Sequence, residues 1–176
     1  MDSNGHYIIK IVLLGEANVG KTSLVYRFIE DKFRENYKST LGVNLLKKEM
    51  TIKEYGEVSA QIWDLGGQES FKSLRKLYLE GANAGMLVYD CTKKKTFDKL
   101  DGWIQDFKQA RGNEPLVLIG NKSDLNDKIK VQDKQGIEFA KKNNMEFIST
   151  SAKTGSNVEQ AFTRITKKTL DKNLNK

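Results

Sequence analysis

Residues 7–23 read YIIKIVLLGEANVGKTS, and the fold turns on how this stretch divides. Tyr7 to Leu14 is an almost unbroken apolar run, as expected for a strand covered on both faces. Gly15-Glu-Ala-Asn-Val-Gly20-Lys21-Thr22 then has the spacing GxxxxGK[ST]. Leu24, Val25, Phe28 and Ile29 follow at helical spacing. A glycine-bounded loop between a strand and a helix is suited to hold an anion. The backbone N–H groups of Glu16, Ala17, Asn18, Val19 and Gly20 turn inward around it. The helix opened by Lys21, Thr22 and Ser23 points its positive dipole end at the same place. Lys21 is expected to reach the terminal phosphates of a nucleoside triphosphate. The Thr22 hydroxyl is expected to ligate a Mg²⁺ bridging them.

Working outward, strand-like and helix-like segments keep alternating. Leu45–Glu54 and Val58–Asp64 read as two strands joined by the turn Glu54-Tyr55-Gly56-Glu57. A short helix follows to about Glu80, then the apolar strand Gly85–Asp90. Phe97, Leu100, Ile104 and Phe107 share one face of a helix over Thr96–Ala110, with Trp103 beside them. Leu116–Gly120, Val131–Lys142 and Glu146–Thr150 read as strand, helix and strand. Ser156, with Glu159 three residues on, predicts a capping box for the last helix. The pattern implies an α/β fold. Its sheet is mostly parallel and six-stranded, with one antiparallel edge strand and helices on both faces. Such sheets bind ligands beyond the carboxyl ends of their strands.

Composition narrows the classes. The chain has 176 residues, which fits one domain over 1–176 with a core at about 7–170. No run approaches ~20 apolar residues, so no spanning helix is expected. The single cysteine, Cys91, excludes an internal disulfide and fits a reducing, cytoplasmic setting. The net charge of +7 is scattered over Lys47-Lys48, Lys93-Lys94-Lys95, Lys141-Lys142 and Lys167-Lys168. Acidic residues interrupt these runs and no aromatic-interleaved basic motif accompanies them, so they read as solvated faces and no nucleic-acid partner is expected.

Three further segments follow strands. Asp64-Leu-Gly-Gly67-Gln68 offers a carboxylate for a Mg²⁺ and, at Gly67, an N–H for a terminal phosphate. Asn121-Lys122-Ser123-Asp124 places a carboxylate where it can accept two parallel hydrogen bonds from guanine N1–H and the exocyclic amine. Adenine cannot make that pair. Ser151-Ala152-Lys153 can bring a backbone N–H to the guanine carbonyl oxygen. Singly the last two are weak signals; in this order, each after a strand, they point jointly to GTP or GDP.

With these motifs the chain resembles the Ras superfamily of small GTPases over roughly residues 7–170, and so implies a P-loop NTPase G domain. Within it the chain is most similar to the Rab group. That likeness rests on Lys38-Ser-Thr40-Leu-Gly-Val43, Ile62-Trp63-Asp64, Tyr78, LVYD before Cys91-Thr92, and Thr150–Gly155 with Asn157-Val158. The resemblance implies that Thr40 ligates Mg²⁺ and senses the γ-phosphate, with Thr22 and Asp64 completing the metal site. It implies that Phe33 packs edge-on against guanine, that Tyr37 belongs to the nucleotide site, and that Lys122 lies over the base plane. Gln68 would orient the attacking water, so Lys21, Thr40 and Gln68 are the candidate catalytic residues. Trp63 and Tyr78 match aromatics that face effectors.

Some positions depart from the group. Leu65-Gly66 replaces Thr-Ala, giving an Asp-Leu-Gly-Gly-Gln stretch similar to the Arf group. Leu45 stands in place of an effector-facing aromatic, and Ala17 in place of a glycine. No arginine precedes Thr40 directly, and Arg34 is expected to point elsewhere, so hydrolysis should be slow and an activating protein is implied. Effector proteins and an exchange factor are the other expected partners. No prenylation cysteine stands at the C-terminus, and Asp2 occupies the position where N-myristoylation needs a glycine. Membrane attachment is therefore expected only if a lipidated tail is missing. Two alternatives stay open: a guanine-nucleotide scaffold with little hydrolysis, and a P-loop phosphotransferase, which would need an arginine-rich lid.

Overall fold

A computed structural model describes residues 6–34, 38–68 and 72–174. The elements run β1 (Tyr7–Leu14), α1 (Lys21–Glu30), β2 (Val43–Ile52), β3 (Gly56–Leu65), α2 (Lys72–Leu79), β4 (Ala84–Asp90), α3 (Lys94–Asp98), α4 (Leu100–Arg111), β5 (Leu116–Asn121), α5 (Asp133–Lys142), β6 (Glu146–Ser149) and α6 (Val158–Leu174). The six strands form one sheet in the order β2-β3-β1-β4-β5-β6. Only the β2–β3 hairpin is antiparallel; the other pairs are parallel. This is the expected mostly parallel sheet with an antiparallel edge strand.

Side chains alternate along each strand, so β1 feeds two cores. Ile9, Ile11 and Leu13 pack with Leu24, Val25 and Phe28 of α1 and with Val158, Ala161, Phe162 and Ile165 of α6. Phe28 and Phe162 stack with ring centroids 4.1 Å apart. Val12 and Leu14 face the other way, onto Leu79 of α2, Trp103, Ile104 and Phe107 of α4, and Ala140 of α5. Each fully buried Leu, Ile or Phe is worth about 1.5–3 kcal/mol of transfer free energy, so both faces of β1 contribute to holding the phosphate loop that follows it.

The sequence reading shifts in two places. The helix expected over Thr96–Ala110 is two helices meeting at Lys99. Thr96 Oγ1 accepts the Asp90 N–H at 3.0 Å and donates to the Lys93 carbonyl at 2.8 Å, tying α3 to the end of β4. Phe97 packs on Tyr89 of β4 and Phe139 of α5, whereas Trp103 bonds Glu16 of the phosphate loop and Phe107 lies against Gly85 of β4. The predicted capping box is displaced as well. α6 starts at Val158, and the residue before it is Asn157 (φ 57), whose amide donates to the Ser149 carbonyl at 2.8 Å.

Candidate functional site

β1, the strand between its two parallel neighbours β3 and β4, ends in the phosphate loop. Gly20 sits at φ 99, and a Cβ there would lie 2.3 Å from Asn121 Nδ2, so only glycine fits. Asn121 Nδ2 donates to the Val19 carbonyl at 3.0 Å, and its Oδ1 accepts from Thr150 Oγ1 and the Ala152 N–H. One amide thus joins the phosphate loop to the turn after β6. Lys21 is 6% exposed, and its Nζ donates to the Gly15 and Glu16 carbonyls at 2.7 and 2.8 Å. Burial lowers its pKa to about 8, against the opposing pull of the Asp64 and Glu16 carboxylates. An ammonium desolvated this far gains most from a bound anion.

Three oxygens converge beside it. Thr22 Oγ1 lies 2.7 Å from Thr40 Oγ1 and donates to Asp64 Oδ2, and Thr40 Oγ1 is 3.4 Å from the same oxygen. Asp64 is wholly buried, and burial raises its pKa, while bonds from Thr22 and Thr40 and the Lys21 charge oppose the rise. Its Oδ1 has no hydrogen-bond partner among the described residues. A buried carboxylate with an orphaned oxygen and two hydroxyls at hand is a hard-oxygen donor set that fits Mg²⁺. Two glycines bring this cluster together. A Cβ on Gly66 would fall 2.6 Å from the Thr40 carbonyl, and one on Gly67 would fall 2.4 Å from the Ala17 nitrogen. The Gly66 N–H donates to the Gly42 carbonyl at 2.7 Å, fastening the two loops. This close approach leaves no room for a Cβ at position 66.

At the far end Asp124 accepts from Ser151 Oγ at 2.6 Å. Lys122 Nζ donates to the Asn18 carbonyl at 2.8 Å and pairs with Asp90 Oδ2 at 2.7 Å. Asp90 Oδ1 is in turn held by the N–H and hydroxyl of Thr92. The Lys122 stem is thereby stretched across the floor of a cavity.

That cavity, about 420 Å³, is lined by Ala17, Asn18, Gly20, Lys21, Thr22 and Ser23 at one end and by Asn121, Lys122, Asp124, Ala152 and Lys153 at the other. Phe33, Thr40, Gly67 and Gln68 also line it. Three residues expected at the site through their backbone have other places for their side chains. The Glu16 carboxylate accepts from Trp103 Nε1 at 2.9 Å, Val19 is wholly buried, and Ser151 braces Asp124. Tyr37 lies outside the described residues. Arg34, expected to point away, lines the cavity together with Lys38, Ser39 and Leu125. Asp90 and Trp103 were missed as site residues. Asp90, a carboxylate at a strand's carboxyl end, carried the signal already used for Asp64. Trp103 holds Glu16 on one side and lies under the Arg75 guanidinium of α2 at 3.7 Å on the other, and nothing local in the sequence marks that.

In comparison with known proteins, the family model described as Ras family matches residues 10–171 of the chain, which takes in every loop around this cavity.

Proposed function

The chain belongs to the Ras family of small GTP-binding proteins, and from that premise we propose that it hydrolyses GTP slowly to GDP and phosphate and serves as a two-state switch in membrane-trafficking-type signalling. The observation that carries this is one cavity lined at one end by Lys21 and Thr22 and at the other by Asn121, Asp124 and Ala152. It offers cations and backbone N–H groups to phosphates and a carboxylate to a guanine edge at the same time. Lys21 and the loop amides neutralise charge on the β- and γ-phosphates. Thr22, Thr40 and Asp64 would hold Mg²⁺, which when bound supplies further charge neutralisation between those phosphates. Gln68 and the Thr40 carbonyl orient the attacking water, a positioning role that needs no covalent step. Loss of the γ-phosphate removes what holds Thr40 and Gly67, and their release is the switch.

Slow turnover is the reading in which a partner supplies the arginine, worth about 10³–10⁵ in rate: no arginine immediately precedes Thr40, and Arg34, which does line the cavity, stands six residues before it. A Rab-like partner surface is supported by Trp63 and Tyr78, whose ring centroids lie 6.3 Å apart, with the exposed Leu45 opposite Trp63 across the hairpin and the exposed Leu74 and Leu77 on the same helix as Tyr78. We place the protein in the cytoplasm or at the cytosolic side of a membrane. The deciding experiment is a single-turnover assay on the Mg²⁺·GTP complex. The wild type should release phosphate without any acceptor, and Gln68→Leu should slow release by about tenfold or more while binding GTP normally. A wild type that binds GTP and releases nothing would leave the scaffold alternative.

A further inference from the structure

Arg27 of α1 belongs to none of the motifs above, yet it reaches the base end of the cavity from behind. Its Nε donates to the Ala152 carbonyl at 2.9 Å and its Nη2 to the Lys153 carbonyl at 2.6 Å. Its Nη1 donates to the Asp31 carbonyl and carboxylate, both at 3.1 Å, at the end of its own helix. The side chain is only 16% exposed. The guanidinium fork therefore holds two successive peptide carbonyls of the Ser151–Lys153 turn against α1. Peptide planes are rigid and trans. Fixing the Ala152 carbonyl fixes the Lys153 N–H on the opposite side, and fixing both carbonyls leaves the turn little freedom to rotate its amides. The turn also has ties of its own, Gly155 N–H to the Ser151 carbonyl at 2.8 Å and Thr154 N–H to Ser151 Oγ at 3.1 Å. These shape it without anchoring it to the phosphate end. Asn121 does reach both ends, but its bond from the Ala152 N–H is long, at 3.3 Å, and leaves the Ala152 and Lys153 carbonyls untouched.

We infer that Arg27 is a positioning residue for base selectivity: by holding the Ala152 carbonyl it locks the Lys153 N–H in register with the phosphate loop, so that it meets the O6 carbonyl of guanine at a fixed distance from the phosphates. The inference rests on the guanine-nucleotide reading above. α1 begins at Lys21, and Arg27 stands six residues, about 9 Å, along it. Phosphate grip and base grip are thus parts of one rigid body, and loosening Arg27 uncouples them.

The test compares GDP with the diphosphate of 2,6-diaminopurine riboside, which keeps the 2-amino group and replaces O6 by an amine. Both are titrated against a fluorescent GDP on wild type, Arg27→Met and Arg27→Lys. Methionine keeps the apolar stem and loses the fork; lysine keeps the charge without the planar fork. In Arg27→Met the preference for GDP over the analogue should fall about tenfold, the worth of one hydrogen bond made to the base, with the loss confined to GDP. Arg27→Lys should lie between. A merely structural role would weaken both ligands by the same factor and leave the ratio unchanged. Urea midpoints identify a variant that fails to fold; should that be Arg27→Met, the Arg27→Lys ratio decides. A wild type that prefers GDP, with variants that keep its ratio, overturns the inference while the guanine reading stands. A wild type with no preference overturns the guanine reading, and the inference with it.

Discussion

At the scale of single residues, the Lys21 ammonium sits between the Gly15 and Glu16 carbonyls with its pKa drawn down to about 8 by burial. Such a charge opposes folding in the empty protein and favours ligand binding. Lys21→Met should therefore leave the nucleotide-free protein within about 1 kcal/mol of wild type, or more stable, because a buried charge is replaced by an apolar stem. The same variant should lose GTP affinity by about a hundredfold or more, the worth of two charge-assisted hydrogen bonds. Urea unfolding after nucleotide removal, paired with a GTP titration, checks both signs. Gly66 makes a second case. A methyl there meets the Thr40 carbonyl at 2.6 Å, so Gly66→Ala should cost about 1–3 kcal/mol of overpacking, relieved by displacing Thr40. Mg²⁺ titration of the complex with a non-hydrolysable GTP analogue, in which Thr40 is held, should show weaker binding, with the preference for guanine unaltered. Unchanged Mg²⁺ affinity would show that Thr40 is not held through Gly66.

At the scale of elements, the β2–β3 hairpin is the sheet's outer edge and is tied to α6 at its turn. The Tyr55 hydroxyl donates to Asp171 Oδ1, and Lys167 Nζ lies 3.2 Å from the same carboxylate. The Tyr55 bond, then Lys167, holds the Asp171 carboxyl below its usual 3.8. A carboxylate with a depressed folded-state pKa contributes stability above its unfolded value, and that stability is lost as pH falls through the folded value. Tyr55→Phe should therefore destabilise the protein at neutral pH, and the gap from wild type should close below about pH 4. Urea midpoints across that range measure it; a gap independent of pH would assign the effect to lost packing. Elements were legible where their own apolar pattern decides them. β1 and β4 are apolar runs packed on both faces of the sheet, and α1 carries its buried residues at helical spacing. The break at Lys99 was not legible, because Phe97, Leu100 and Ile104 fall on one face of a helical wheel whether or not the helix is continuous. Nor was the start of α6 at Val158, before which Asn157 takes a left-handed conformation and its side-chain amide donates to the Ser149 carbonyl.

For the whole molecule, the legible part of the site is the part each loop carries in its own sequence. GEANVGKT, DLGGQ, NKSD and SAK each follow a strand, and a parallel sheet brings strand ends to one edge. What the sequence hid is the bracing between loops, since Arg27 and Ala152 are 125 residues apart and Asn121 and Val19 are 102 apart. Glu16 shows the same limit: its place in the loop speaks for its backbone N–H, and nothing in the sequence says that its carboxylate accepts from Trp103, 87 residues away. All these braces converge on one cavity, and the account stands on what fills it. The direct test is to purify the protein in the presence of Mg²⁺, denature it, and identify the released small molecule by chromatography. The prediction is GDP or GTP at close to one per chain. Protein that comes out empty, and that fails to bind either guanosine phosphate when it is added back in large excess, would contradict the account.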